Sequence, residues 1–215
     1  MRVLELLEAR KTAKAYNGEK ISKEDFEKIL DMLVLSPTSV NLQAGRFMWG
    51  SSPEAWRKFS EALHPANVER LAGASHFILF CRPLEVDEEH YGRVLSAEVE
   101  SGRVSEEAAA SGGADASRRS YAALHEDKGD LAAWTAHQLY IALGVLLVGV
   151  EDMGIAATAV EGLHPEKVDE AFGLAEMGLA CEFAAAVGFR DENRDFNFKK
   201  PKSRISAALR TGSLD

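Results

Sequence analysis

Three cations, Arg10, Lys11 and Lys14, crowd the octapeptide ARKTAKAY (residues 9–16), with almost no acid to answer them, in a chain whose formal net charge is -9. Residues four apart share a face in a helix and also in a strand, so Arg10 and Lys14 converge in either conformation. Two converging cations suit a phosphate or another diffuse anion, and arginine adds bidentate geometry. The same cluster also suits the solvated end of the apolar helix that begins near Arg2, because lysine and arginine complement a helix C-terminus. The residues alone leave both readings open.

Four further polar islands lie at the ends of apolar stretches. SPTSVNLQ (36–43) is a run of hydroxyls and amides that reads as a surface turn or as a hydrogen-bonding wall for a planar heterocycle. Asn67 and Arg70 stand three apart on a predicted helix ahead of a strand. In AVEGL (159–163) a strand ends at Val160, and Gly162 permits a ligand to approach the backbone. In PKSR (201–204), Lys202 and Arg204 point one way if the chain is extended. Each island also fits a solvated turn.

Other chemistries lack their residues. There is no G-x-G, so a dinucleotide-binding turn is unsupported, and GVLLVG (144–149) has the glycine spacing of a phosphate loop without the following lysine and hydroxyl. GASHF around Ser75 lacks the second glycine of a nucleophile elbow. His125-Glu126 lacks a second histidine at metalloprotease spacing, and the six histidines are scattered, so metal and triad chemistry are not expected. Cys81 and Cys181 sit in apolar runs without metal-ligand spacing and are expected as buried free thiols. With 34 Asp and Glu against 25 Lys and Arg, the balance argues against a nucleic-acid partner. No signal-peptide core and no apolar stretch of membrane-spanning length is read, so no membrane partner and a cytoplasmic location are expected.

These islands need elements to position them. Helical periodicity covers Arg2 to Glu8 and Ser22 to Leu35, the latter opening with Ser22 as N-cap and stopping at Ser36-Pro37. RFMWG (46–50) and SHFILFCRP (75–83) read as strands around a helical PEAWRKFSEAL (53–63). Residues 101–129, rich in Ser, Gly, Ala and charge, read as a mobile excursion of short helices. Asp130 to Gly154 is the strongest helix, apolar nearly all round, and is expected to be buried on most sides. A strand at 156–160, a helix at 165–172 and a strand at 181–189 follow, then a Lys- and Pro-containing tail. With 46% hydrophobic residues in 215, one compact domain over 1–215 is predicted.

In order and spacing the islands carry a resemblance. R-x-x-x-K-A-Y at 10–16, S-P-T-S-x-N-x-Q at 36–43, A-S-H at 74–76, the helix from Trp134 to Gly154, E-G at 161–162, F-G-L at 172–174 and P-K-S-R at 201–204 resemble the FMN-dependent, oxygen-insensitive NAD(P)H nitroreductases nearly end to end. That branch includes flavin and dihydropteridine reductases. The resemblance implies an α+β fold, a central mainly antiparallel sheet flanked by helices, in an intertwined homodimer with FMN at the subunit interface. It implies that Arg10, Lys202 and Arg204 hold the FMN phosphate, with Lys11 and Thr12 beside them and Lys14 under the ring system. Pro37, Thr38, Ser39 and Asn41 match a loop that reaches the flavin of the other subunit. Asn67 and Arg70 match residues on the pyrimidine edge, Gln138 another polar contact, and Val160, Glu161 and Gly162 the turn beside flavin N5. Tyr121 and Val40 fall at the substrate pocket.

What the resemblance implies chemically is ping-pong exchange in one pocket. NADH or NADPH gives hydride to the flavin, and a small-molecule acceptor such as a nitroaromatic or quinone takes the electrons, with Lys14, Arg70, Glu161 and Gly162 as the residues of flavin chemistry. Relatives usually continue the Asn-x-Gln loop with Pro-Trp, where this chain has Ala44-Gly45, so a wall near the site is expected to be more open. The alternatives are a dihydropteridine or flavin reductase, a non-catalytic flavin-binding protein, and a cofactor-free interaction domain.

Overall fold

A computed structural model describes residues 2–214; Met1 and Asp215, the two ends of the predicted 1–215 domain, lie outside the described residues. Helices α1 (Arg2–Ala9) and α2 (Lys23–Val34) precede strand β1 (Arg46–Gly50). Then come α3 (Pro53–Glu61), α4 (Pro65–Leu71) and β2 (His76–Pro83), followed by α5 (Glu88–Glu100), α6 (Glu106–Ala110) and α7 (Ala116–Asp127). Helix α8 (Leu131–Asp152), β3 (Ala156–Val160), α9 (Pro165–Phe172) and β4 (Leu179–Gly188) complete the fold.

All three strand pairings are antiparallel, in the order β1-β2-β4-β3. Strand periodicity sorts the side chains. Phe77, Leu79 and Cys81 of β2 join Ala184 and Ala186 of β4 in a core closed by Phe59 of α3, Leu71 of α4 and Val168 of α9. Ile78 and Phe80 join Phe183, Ala185 and Val187 in a second core, closed by Phe26, Ile29 and Leu33 of α2 and Leu139 and Leu146 of α8. Burying each such large side chain stabilises the fold by roughly 1.5–3 kcal/mol. This is the expected α+β architecture, and Cys81 and Cys181 are buried free thiols.

Element ends follow local chemistry. The Ser22 side chain accepts from the Asp25 backbone N–H, capping α2 as predicted. Residues 101–129 form two short helices as expected, but α7 is anchored, with Arg118 and Ala122 buried. Within one chain, helix α8 is covered on one side. Eight of its residues are buried, on the face toward the sheet and α2, whereas Ile141 and Val145 on the other face are 44% and 37% exposed, and Tyr140, 45% exposed, flanks them with its ring centroid 4.3 Å from that of Phe183. At 22 residues it is also the one helix among the described residues long and apolar enough to cross a membrane by length and composition, a stretch that the sequence reading did not credit.

Between α2 and β1 the chain takes a constrained path. Val40, Asn41 and Gln43 have φ of 48°, 52° and 53°. A β-branched valine in the left-handed region is an outlier, and such residues cost on the order of 1–3 kcal/mol each. Leu42 and Ala44 nevertheless pack against Val86, Tyr91 and Ala122, with Val40 and Trp134 at the edge of that small core.

Candidate active site

Only the start of the cationic octapeptide is a helix end, where Arg10 N–H donates to Leu6 O at 2.8 Å. Helix α1 stops at Ala9, and the following residues run extended along the sheet, held by Ala13 N–H to Ala157 O at 3.1 Å, Asn17 N–H to Phe189 O at 2.9 Å and a bridge between Tyr16 and Arg190. The fully buried Tyr16 hydroxyl meets Thr158 Oγ1 at 2.8 Å and donates to Ala186 O at 3.1 Å, while the Thr158 hydroxyl donates to Ala13 O at 2.7 Å. Ala13 and Ala15 turn inward, so Arg10, Thr12 and Lys14 fall together on the outer side.

A tail segment clasps this strip. Buried Asp195 accepts from the Lys14 N–H at 3.1 Å and is paired with Arg190, whose guanidinium also donates to Lys11 O at 2.7 Å. Lys11 Nζ donates to Phe198 O at 2.6 Å, and Asn197 Nδ2 donates to Thr12 O at 3.0 Å. Lys202 Nζ reaches back to Leu7 O and, at 2.6 Å, to Arg10 O. A cavity of about 300 Å³ results, lined by Arg10, Lys11, Thr12, Asn197, Lys200, Pro201, Lys202, Ser203 and Arg204. The predicted cations Arg10, Lys202 and Arg204 therefore meet. Burial, then Arg204, holds the Arg10 guanidinium below its usual pKa, and burial, then Arg10 and Arg204, does the same for Lys202. Such crowded like charge is stabilised by an anion.

Lys14 lies further along the strip, its pKa lowered by burial and then by Arg70, with Asp195 opposing. Arg70 and Asn67 sit on α4, and Asn67 Nδ2 donates to Gly162 O at 2.9 Å. A Cβ on Gly162 would stand 2.5 Å from that nitrogen, so a side chain there would displace the Asn67 amide from its bond. Val160 is buried in the core, which leaves its backbone as its contribution to the turn. The Glu161 carboxylate is held aside by the Tyr140 hydroxyl at 2.8 Å, and burial, then Glu161, pushes the Tyr140 pKa up to about 12.

The loop at 37–43 does not join this cluster. Ser39 N–H donates to Gln138 Oε1 at 3.1 Å, and Gln138 Nε2 donates to Trp134 O at 3.2 Å, so buried Gln138 pegs the loop and is not among the residues lining the cation cavity. Thr38 Oγ1 accepts from Gln43 N–H at 3.0 Å, and Asn41 Nδ2 donates to Glu98 Oε1 at 2.8 Å. Thr38 and Gln138 border a separate apolar cavity of about 330 Å³ with Gly45, Phe47 and Trp49. A Cβ on Gly45 would stand 2.5 Å from Leu139 Cδ2, so the Ala44-Gly45 departure is built into the packing. Pro37 is exposed, Val40 faces the small core, and Tyr121 is 48% exposed on α7, apart from both cavities. The sequence reading missed Asp195, Asn197 and Lys200; the turn-forming run DENRDFN after β4 was the available signal.

Residues 7–189 match the model of the nitroreductase family. The chain is 34% identical over 202 residues to the major NAD(P)H-flavin oxidoreductase of Aliivibrio fischeri, covering 92% of each chain. It is 32% identical over 201 residues to an oxygen-insensitive NAD(P)H nitroreductase of Salmonella typhimurium, covering 91% of this chain and 92% of that one. Among solved structures, one from Exiguobacterium sibiricum described as a nitroreductase in complex with FMN superposes with a TM-score of 0.81 at 19% identity, over 98% of this chain and 96% of that one. An NADPH:FMN oxidoreductase from Vibrio harveyi complexed with NAD+ gives 0.69 at 18% identity, over 100% and 78%. The chain belongs to the nitroreductase family.

Proposed function

We propose that this chain is an FMN-dependent NAD(P)H oxidoreductase that reduces nitroaromatics, quinones or flavins, working as a homodimer. The observation that carries the reading is the meeting of Arg10, Lys202 and Arg204 at one cavity, with Lys14 further along the same strip and within electrostatic reach of Arg70. The residues present fit FMN: a cation cradle for its phosphate, an amide and two cations for its polar ring edge, and at Gly162 a turn with no side chain in the way.

Bound FMN supplies the ring that takes hydride from NADH or NADPH and delivers two electrons to an acceptor. Arg10, Lys202 and Arg204 bind the phosphate, Arg204 being the exposed member at the mouth. Lys11 and Asn197 hold the walls of that cradle by their contacts to Phe198 and Thr12. Lys14 and Arg70 would supply positive charge for the ring end of FMN, and partial burial of Lys14 would strengthen its preference for a reduced, more negative flavin. Tyr140 draws the Glu161 carboxylate off the Gly162 turn and so keeps that turn's backbone open to the ring. Residues 37–41 serve the flavin of the partner subunit, which explains why one chain keeps them apart from its own cation cavity.

The test is direct. Purified protein should carry flavin absorbance bands near stoichiometry and oxidise NADH or NADPH when menadione or nitrofurazone is added. Absence of flavin even after incubation with FMN would return the chain to the interaction-domain reading. Flavin without turnover would make it a binding protein.

A further inference from the structure

The strained loop is held by groups that belong to neither cavity. Glu98 of α5 and Arg118 of α7 form an ion pair at 2.8 Å with side chains only 8% and 5% exposed. Both converge on Asn41: Glu98 Oε1 accepts from Asn41 Nδ2 at 2.8 Å, and Arg118 Nε donates to Asn41 O at 3.3 Å. A second residue of α5 adds to this, His90 Nε2 lying 2.7 Å from Leu42 O. Helices α5 and α7 thus grip consecutive residues of a loop in which Val40, Asn41 and Gln43 are left-handed.

Such a pair is not explained by stability. Buried ion pairs are often replaceable by apolar groups without loss, and this one leaves Arg118 Nη1 buried with no hydrogen-bond partner. Backbone strain persists only where the surroundings over-determine it, and it concentrates at working sites. We propose that Glu98 and Arg118 are positioning residues that fix Asn41 and the 38–43 loop in the shape needed at the partner subunit's flavin. The inference rests on the reading that this loop completes that site. It assigns a role to the segment 88–127: through the loop, its helices set the affinity for the cofactor.

The experiment uses the full-length protein and FMN, comparing Asn41→Ala, Glu98→Gln, the pair Glu98→Gln/Arg118→Met and the combination Asn41→Ala/Glu98→Gln. The pair replaces the ion pair by neutral groups of similar length, so a folded dimer is available even if a single variant fails. FMN affinity is read by fluorescence quenching, with sedimentation and thermal melts alongside. Asn41→Ala and the pair should each weaken FMN about tenfold or more. Glu98→Gln added to Asn41→Ala should weaken it no further, since it acts through Asn41; a merely structural role would add its own loss. If Asn41→Ala weakens FMN while the pair leaves it unchanged, the clamp is wrong and the loop reading stands. If Asn41→Ala itself leaves FMN affinity unchanged, the loop reading fails and the clamp falls with it.

Discussion

Arg10 is torn between two states of the protein. Its pKa is lowered by burial and by Arg204, which means that the folded chain disfavours the charged form relative to the unfolded one. A cation with a depressed folded pKa lets stability rise with pH between the depressed and the ordinary value; well below both, where the protein works, it subtracts from stability. FMN reverses the sign by supplying an anion. Arg10→Gln should therefore weaken FMN by about one to two decades, for a charge-assisted contact of roughly 1.5–3 kcal/mol, while raising the melting temperature of the FMN-free protein. Arg204→Ala, at an exposed position, should fall at the low end of that range. A melting temperature that drops in Arg10→Gln would make Arg10 a structural group. Lys14 is tested by its redox effect, since only an interaction stronger in the reduced state shifts the couple. A unit charge at a partly exposed distance is worth about 1 to 3 kcal/mol, and 30 mV is about 1.4 kcal/mol for two electrons. The midpoint of FMN-saturated Lys14→Met should fall by roughly 20 to 65 mV in a spectroelectrochemical titration. No shift would leave Lys14 an anchor alone.

Elements hold these residues in place, and a buried hydroxyl network adds to the backbone bonds that fix the extended strip at 10–17. Tyr16→Phe removes the contacts to Thr158 and Ala186 but leaves the Thr158 bond to Ala13. Unfolding in denaturant should show a loss of about 0.5–1.5 kcal/mol, with FMN affinity nearly intact because the phosphate contacts lie elsewhere; a loss of binding equal to that of Arg10→Gln would show the strip itself to have moved. Much at this scale was legible. RFMWG and AATAV run from end to end of β1 and β3, and Ser22 caps α2, because short apolar runs and caps are local signals. Helix α5 escaped notice: EEHYGRVLSAEVE buries only Tyr91, Val94 and Glu98, and a glycine interrupts it. The left-handed loop was illegible for a different reason. Nothing local puts valine at φ 48°; contacts with distant helices do.

At the scale of the whole molecule, the order and spacing of motifs were enough to bring Arg10, Lys202 and Arg204 together, while the assignment of the 37–41 loop to the other subunit came from the resemblance alone, since the residues themselves do not say which copy a loop serves. The single chain leaves two debts. Helix α8 presents Tyr140, Ile141 and Val145 to solvent, with Gly144 among them opening space for close approach. The loop at 37–41 carries left-handed Val40 and Asn41, and its Thr38 borders an apolar cavity separate from the cation cavity. In the proposed homodimer one symmetric contact would settle both: a two-fold partner would cover the α8 face, and each loop would then reach across to the other flavin. Dimer and cofactor are then thermodynamically linked: FMN that binds only the dimer must stabilise the dimer, and dilution to monomer must release FMN. Sedimentation over a dilution series, read at the flavin absorbance, should show FMN leaving in step with the loss of dimer, and added FMN should shift dissociation to lower protein concentration. A monomer that sediments with stoichiometric flavin would place the whole site within one chain and remove the trans role of Pro37, Ser39 and Asn41.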